Sequence, residues 1–195
     1  MNDHLYRTML NGICCEIGVS ESPRATVVFL PGLPGYPKDQ ELLKFITNHR
    51  FNTIYLRYRG TFESEGIFLR ESPVKDVVEV LEFLIKKQFI ELYCHQKIKI
   101  QIGKIIFVGS SFAGSVAVNC LKYFPNANAL ICCPVVDFKK HNDQGNESDL
   151  HTFENFLEEG YLFVYRFDKK GYKKLLDNKI LFPIIGRITF SFFFI

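Results

Sequence analysis

Lys104-Ile105-Ile106-Phe107-Val108-Gly109-Ser110-Ser111-Phe112-Ala113-Gly114 decides how this chain folds. Ile105–Val108 is a short unbroken apolar run rich in β-branched residues, the pattern of a strand buried on both faces. A glycine and two serines follow. Then comes a helical pattern over residues 112–123, carrying Val116, Ala117, Cys120 and Leu121. The order is strand, tight turn, helix, with Ser111 at the apex of a G-x-S-x-A-G arrangement. A serine hydroxyl is a weak nucleophile and has to be projected from the sheet edge toward a base. A sharp turn does this, and it strains the backbone at the apex. Gly109 and Ala113, two residues to either side, keep the neighbouring backbone from clashing, and Gly114 is expected to let the helix pack closely on the strand. The N-terminus of that helix offers N–H groups and a positive dipole end to a developing oxyanion. The competing reading of Ser111 is a plain helix N-cap, a position where serine is favoured.

Outward from this segment the same alternation recurs. Ala25–Leu30, Thr53–Leu56 and Ala129–Cys133 are further buried-strand patterns. Between them lie two helical patterns. Residues 39–49 place Leu42, Leu43, Phe45 and Ile46 on one side. Residues 73–87 carry Val74, Val77, Val78, Leu81, Leu84 and Ile85, with Ser72 as N-cap and Pro73 at the first helical position. Strand and helix alternating three times predict an α/β fold, a mostly parallel sheet flanked by helices. Residues 6–17 add an antiparallel strand or hairpin at its edge.

Beyond residue 138 the pattern changes. Residues 139–149 are polar and turn-rich, and residues 150–178 read as helical, so 138–178 is expected to form a lid. Residues 179–195 predict a partial terminal strand. Pro183 and Arg187 interrupt that stretch too early for a spanning helix. No internal repeat is present. Residues 1–195 are read as a single domain, with its core at 25–137.

A second segment bears on the site. Val27–Leu30 runs into Pro31-Gly32-Leu33-Pro34-Gly35, whose two glycines allow a tight loop with backbone N–H groups facing a ligand. Its rival reading is an ordinary Pro/Gly turn. A third segment is Arg57-Tyr58-Arg59-Gly60-Thr61-Phe62-Glu63-Ser64-Glu65-Gly66. Taken together, the three segments resemble the α/β-hydrolase superfamily, in a form similar to its prolyl-oligopeptidase-like and esterase-like members. There the loop after the third strand commonly reads His-Gly-x-x-Gly, the elbow Gly-x-Ser-x-Gly and the segment after the fourth strand Tyr-Arg-Gly-x-Gly-x-Ser-x-Gly. The resemblance covers residues 25–137.

It implies a serine hydrolase that cleaves an ester, thioester or amide of a small acyl or peptide substrate, with Ser111 as nucleophile. It also implies that the backbone N–H groups of Leu33 and Phe112 serve as oxyanion donors. Pro31 stands where the family usually has histidine. The resemblance places an acid after a later strand and a histidine after the last one. Downstream of Ser111 the histidines are His141 and His151, and neither fits that terminal position. Asp137 is the acid candidate, since some members keep the acid there; its other reading is a turn aspartate. The expectation is therefore a hydrolase core lacking its last strands, truncated at the C-terminus. The alternative function is an inactive remnant or pseudoenzyme lacking the acid and histidine. A truncated sheet leaves an exposed edge, which predicts self-association.

Composition narrows the field. The 195 residues suit one domain, and 47% hydrophobic content excludes wholesale disorder. A net charge of +3, with both signs interspersed and no basic run, gives no nucleic-acid interface. A nucleotide-binding α/β domain is the third reading, but neither G-x-G-x-x-G nor G-x-x-x-x-G-K-[ST] stands in the required place, and no cofactor is expected. The cysteines 14, 15, 94, 120, 132 and 133 include no C-x-x-C pair, so no metal site is expected. They read as small buried hydrophobes in a reducing compartment. The N-terminus lacks a basic segment followed by an apolar one, which leaves a cytoplasmic location as the expectation.

Overall fold

A computed structural model describes residues 5–33, 35, 37, 40–138 and 164–183. The chain opens with a hairpin, β1 (Leu5–Leu10) and β2 (Ile13–Gly18), paired antiparallel. Its turn is Asn11-Gly12, with φ of 49° and 80°. Two successive positive φ angles match the right-handed twist of the flanking strands, which is why Asn-Gly suits this turn. Every residue of β2 is buried, and the strand lies between β1 and β4 in the sheet.

The remaining strands of the main sheet are β3 (Thr26–Phe29), β4 (Asn52–Leu56), β7 (Ile105–Ser110) and β8 (Asn128–Cys132). Sheet order is β1-β2-β4-β3-β7-β8. β2 runs antiparallel to β4, while β4, β3, β7 and β8 are mutually parallel. The sheet is mostly parallel with flanking helices, as its apolar runs require. A small separate hairpin, β5 (Phe89–Ile90) with β6 (Lys97–Ile98), stands beside β1, where Thr8 Oγ1 donates to Ile90 O at 2.7 Å.

Among the described residues the helices are α1 (Gln40–Asn48), α2 (Pro73–Lys86), α3 (Phe112–Cys120) and α4 (Lys169–Asp177). The Ser72 hydroxyl caps α2 by accepting from Val74 N–H, with Pro73 in the first turn. Its inward face is Val74, Val77, Val80, Leu81 and Leu84, while Ile85 is exposed. On α1 the expected apolar side is rotated. Leu43 and Thr47 are buried, and Leu42 and Phe45 are exposed, because positions four apart share a face and 42 and 45 lie off it. α3 is buried along its whole length.

Residues 164–168 are laced to the loop after β4. Phe62 N–H donates to Val164 O at 2.7 Å, Phe68 N–H to Arg166 O at 2.6 Å and Arg166 N–H to Gly60 O at 2.7 Å. Asp168 then caps α4 by accepting from Gly171 N–H. Tyr165, Tyr172, Leu175, Leu176 and Leu181 join the same hydrophobic core as the sheet. Asn119 Nδ2 donates to Phe182 O at 3.1 Å, tying residues 181–183 to the end of α3. Residues 178–182 form turns and a bend rather than a strand. The rest of the strand expected over 179–195 lies outside the described residues, as does most of the lid expected over 138–178.

The cysteines depart from expectation. Cys14, Cys15 and Cys120 are buried, but Cys94, Cys132 and Cys133 are exposed. Cys132 and Cys133 lie at the end of β8, whose single strand neighbour among the described residues is β7 and whose residues alternate between exposure and partial burial as successive side chains point to opposite faces.

Candidate active site

Strand β7 carries the chain to Ser110, and α3 begins at Phe112. Ser111 makes the whole change of direction alone, at φ 52° and ψ −124°. This is a sparsely populated conformation for any residue but glycine and costs roughly 1–3 kcal/mol. It persists because three backbone bonds fix it. Ser111 N–H donates to Cys132 O at 3.1 Å, and Ser111 O accepts from Gly114 N–H at 3.0 Å and Val135 N–H at 3.1 Å. The tightness of the turn is visible at Gly109, where a Cβ would stand 2.5 Å from Ala113 O. Gly114 serves a different neighbour from the one its sequence position implies. A Cβ there would meet Pro134 Cβ at 2.8 Å and Ile131 Cγ2 at 2.9 Å, so this glycine admits β8 and the turn after it rather than β7.

The geometry of Ser111 departs from that of a capping serine. A capping serine has extended backbone, and its hydroxyl accepts from an N–H of the first helical turn. Ser111 has positive φ, makes no such bond, and is exposed. The first N–H groups of α3 have no intrahelical carbonyl to bond, and Phe112 N–H is among them. The Phe112 ring is buried against Tyr58, Phe68 and Phe138, which fixes the start of the helix.

The parallel register of β3 and β7 brings the loop after β3 to this turn. Phe29 pairs with Val108, and Leu30 N–H donates to Val108 O at 2.9 Å. Gly32 consequently lies against Ser110, where a Cβ would be 3.4 Å from its carbonyl oxygen. Leu33 follows, partly buried against the core. The loop is held from far along the chain. Gly35 N–H donates to the Tyr165 hydroxyl at 3.1 Å, and that hydroxyl donates to Gly35 O at 3.1 Å. Gly35 N–H is thus engaged by protein. Tyr165 was not legible from the sequence, because its partner lies 130 residues earlier.

The segment after β4 is a buried polar brace. Arg57 donates to Cys14 Sγ at 2.9 Å and Glu16 Oε1 at 2.9 Å, and the Ser64 hydroxyl donates to Arg57 O at 2.7 Å. Arg59 pairs with Asp76 at 2.6 Å and Glu79 at 2.9 Å on α2. Gly60 has φ 76°, and a Cβ there would stand 1.9 Å from Phe68 N, so this glycine has no substitute.

Asp137 is exposed, five residues past the end of β8. His141 and His151 lie outside the described residues. His49 bonds Phe45 O on α1. His95 sits in the β5–β6 connection, and that hairpin neighbours β1 at the opposite edge of the sheet from β8. Among the described residues no cluster of three His, Cys, Asp or Glu side chains could hold a metal ion. No helix among them is long and apolar enough to cross a membrane.

No family model and no curated protein sequence matches the chain. Solved structures do match it. The α/β hydrolase GrgF from Penicillium sp. sh18 is 15% identical at a TM-score of 0.56, covering 86% of this chain and 70% of its own. Esterase 2 of Thermogutta terrifontis, phosphorylated by paraoxon, is 15% identical at a TM-score of 0.50, covering 74% of this chain and 62% of its own. A bromoperoxidase from Bacillus anthracis is 15% identical at a TM-score of 0.54, covering 81% and 56% respectively. The chain therefore spans between 56% and 70% of the length of these structures. At such identity the likeness is one of fold, and the fold is that of the α/β hydrolases.

Proposed function

We propose that the chain carries the nucleophile half of a serine hydrolase, acting on an ester, thioester or amide of a small acyl or peptide substrate. One observation supports this above the others: Ser111 is held at φ 52°, exposed, with its hydroxyl unused as a cap. Strain of this kind persists where surrounding structure over-determines it, and it clusters at reactive sites. In this reading Ser111 Oγ attacks the carbonyl carbon. The N–H groups of Phe112 and Leu33 receive the oxyanion, acting at the point where charge develops. A base accepts the hydroxyl proton, and Asp137, five residues past the end of β8, is the acid candidate. An acyl-enzyme on Ser111 then forms and is hydrolysed.

A second reading, an inactive remnant, is favoured by the positions of the two histidines among the described residues, His49 and His95, neither of which belongs to an element beside β7. Serine without its base retains little rate. An organophosphorus probe separates the two. The structurally similar esterase 2 is phosphorylated by paraoxon. For this chain, labelling by a fluorophosphonate at Ser111, absent in Ser111→Ala, supports the hydrolase. Folded protein that resists labelling throughout favours the remnant. We also propose that the edge of β8, where Leu130 is 61% exposed, mediates self-association. Sedimentation independent of concentration would count against it.

A further inference from the structure

The end of β8 carries two thiols side by side. Cys132 and Cys133 are both free and exposed, and Cys132 Sγ donates to Cys133 Sγ at 3.9 Å. Cys133 has φ 44°, a left-handed conformation that side chains resist. The other cysteines differ. Cys14, Cys15 and Cys120 are buried, and the Cys94 thiol donates to Glu91 Oε2 at 3.0 Å. The pair also touches the elbow through backbone. Cys132 is in register with Ser110, its carbonyl accepts Ser111 N–H at 3.1 Å, and Val135 N–H, two residues past Cys133, donates to Ser111 O at 3.1 Å.

We propose that Cys132 and Cys133 are a vicinal dithiol that a low-molecular-weight disulfide such as glutathione disulfide oxidises to a bond between the two, and that this closure lowers the reactivity of Ser111. The second half rests on the reading of Ser111 as a nucleophile. One cysteine thiolate attacks a sulfur of the glutathione disulfide, forming a mixed disulfide and releasing one glutathione thiolate. The neighbouring thiol gives up its proton and attacks the cysteine sulfur of that mixed disulfide, releasing the second glutathione. Two cysteine thiols are oxidised, one glutathione disulfide is reduced to two glutathione molecules, and no other reactant is needed.

The geometry favours a reversible bond. Adjacent Cα atoms lie about 3.8 Å apart, closer than the roughly 4.4 Å at which ordinary disulfides begin. The ring is therefore strained, and strained exposed disulfides are the easily reduced ones. Closure also shortens the sulfur separation from 3.9 Å to about 2.05 Å. The peptide that turns to allow this joins Cys132 to Cys133, and its carbonyl is the acceptor that holds Ser111 N–H. Closing the ring thereby pulls on the bond that keeps the serine in its strained setting.

The test treats the full chain with glutathione disulfide. Peptide mapping is expected to find the fragment bearing Cys132 and Cys133 lighter by the mass of two hydrogens, while Cys94 gains a glutathione. Cys133→Ser gains a glutathione at residue 132 instead. In the oxidised protein the Ser111 amide exchanges hydrogen about tenfold faster, the order of one lost net hydrogen bond, and fluorophosphonate labelling slows by a similar factor. Dithiothreitol restores both. A fragment that keeps both thiols while Cys94 is modified overturns the dithiol. A closed ring with unchanged amide exchange overturns the coupling. Reduced protein that resists labelling defeats the nucleophile reading instead, and the exchange measurement still decides the coupling.

Discussion

Ser111 concentrates the cost of this site in one backbone. Its φ of 52° is the price of turning from β7 into α3 within a single residue. Glycine reaches such angles freely, though it loses more chain entropy on folding. Ser111→Gly is therefore expected to stabilise the protein by about 1 kcal/mol while removing the hydroxyl. Ser111→Ala keeps the strain and is expected to melt near the wild type. Thermal unfolding of the three proteins measures this, and a glycine variant no more stable than wild type would mean the turn is unstrained. The sequence made this residue legible because the turn needs small neighbours on both sides, and Gly109 and Ala113 supply them. The role of Gly114 was misread, since nothing local says that Pro134 and Ile131 come to lie against it.

At the scale of elements, β3, β4 and β7 could be read directly from the chain, because strands buried within a parallel sheet are written as unbroken apolar runs; the same kind of run marked β8, although its residues are exposed or only partly buried. α2 announced itself through Ser72 and Pro73. The β5–β6 hairpin could not be read, because two residues per strand carry no period. The loop after β3 was legible as a turn, but its anchor was not. Tyr165 reaches it only because residues 164–168 are stitched to the segment after β4. The Tyr165 ring packs on Phe62 and Phe68, with centroids at 5.7 Å and 5.4 Å, so the ring and the hydroxyl have separable roles. Tyr165→Phe keeps the packing and removes both bonds to Gly35. The expected result is a loss of about 1–2 kcal/mol in urea unfolding, with slower fluorophosphonate labelling of Ser111 in protein that remains folded. Unchanged labelling would show that the loop holds its shape without this tether.

For the whole molecule, the antiparallel hairpin has to be joined to the parallel sheet, and a buried ionic cluster does much of this. Glu16 on β2 accepts from Arg7 on β1 at 2.7 Å and from Arg57, just past β4, at 2.9 Å. Arg57 Nε also lies 3.2 Å from Glu63 Oε2. Burial pushes the Glu16 carboxyl up, but the hydrogen bond from Arg7 and the charge of Arg57 outweigh it and leave the pKa below the ordinary carboxylate value. A carboxyl lowered on folding stabilises the native state above its unfolded pKa, about 4.3. That stabilisation is lost as pH falls through the lower native value. Glu16→Gln leaves Arg57 buried without its nearest countercharge, a loss of roughly 3 kcal/mol at neutral pH. The gap between variant and wild type should then shrink as pH drops below about 4, because wild type surrenders the charge that the variant never had. Urea midpoints measured from pH 7 down to 3 give both quantities. A gap that stays constant across that range would mean that Glu16 acts through its shape and hydrogen bonds alone. The hairpin would then be joined to the sheet by packing rather than by charge.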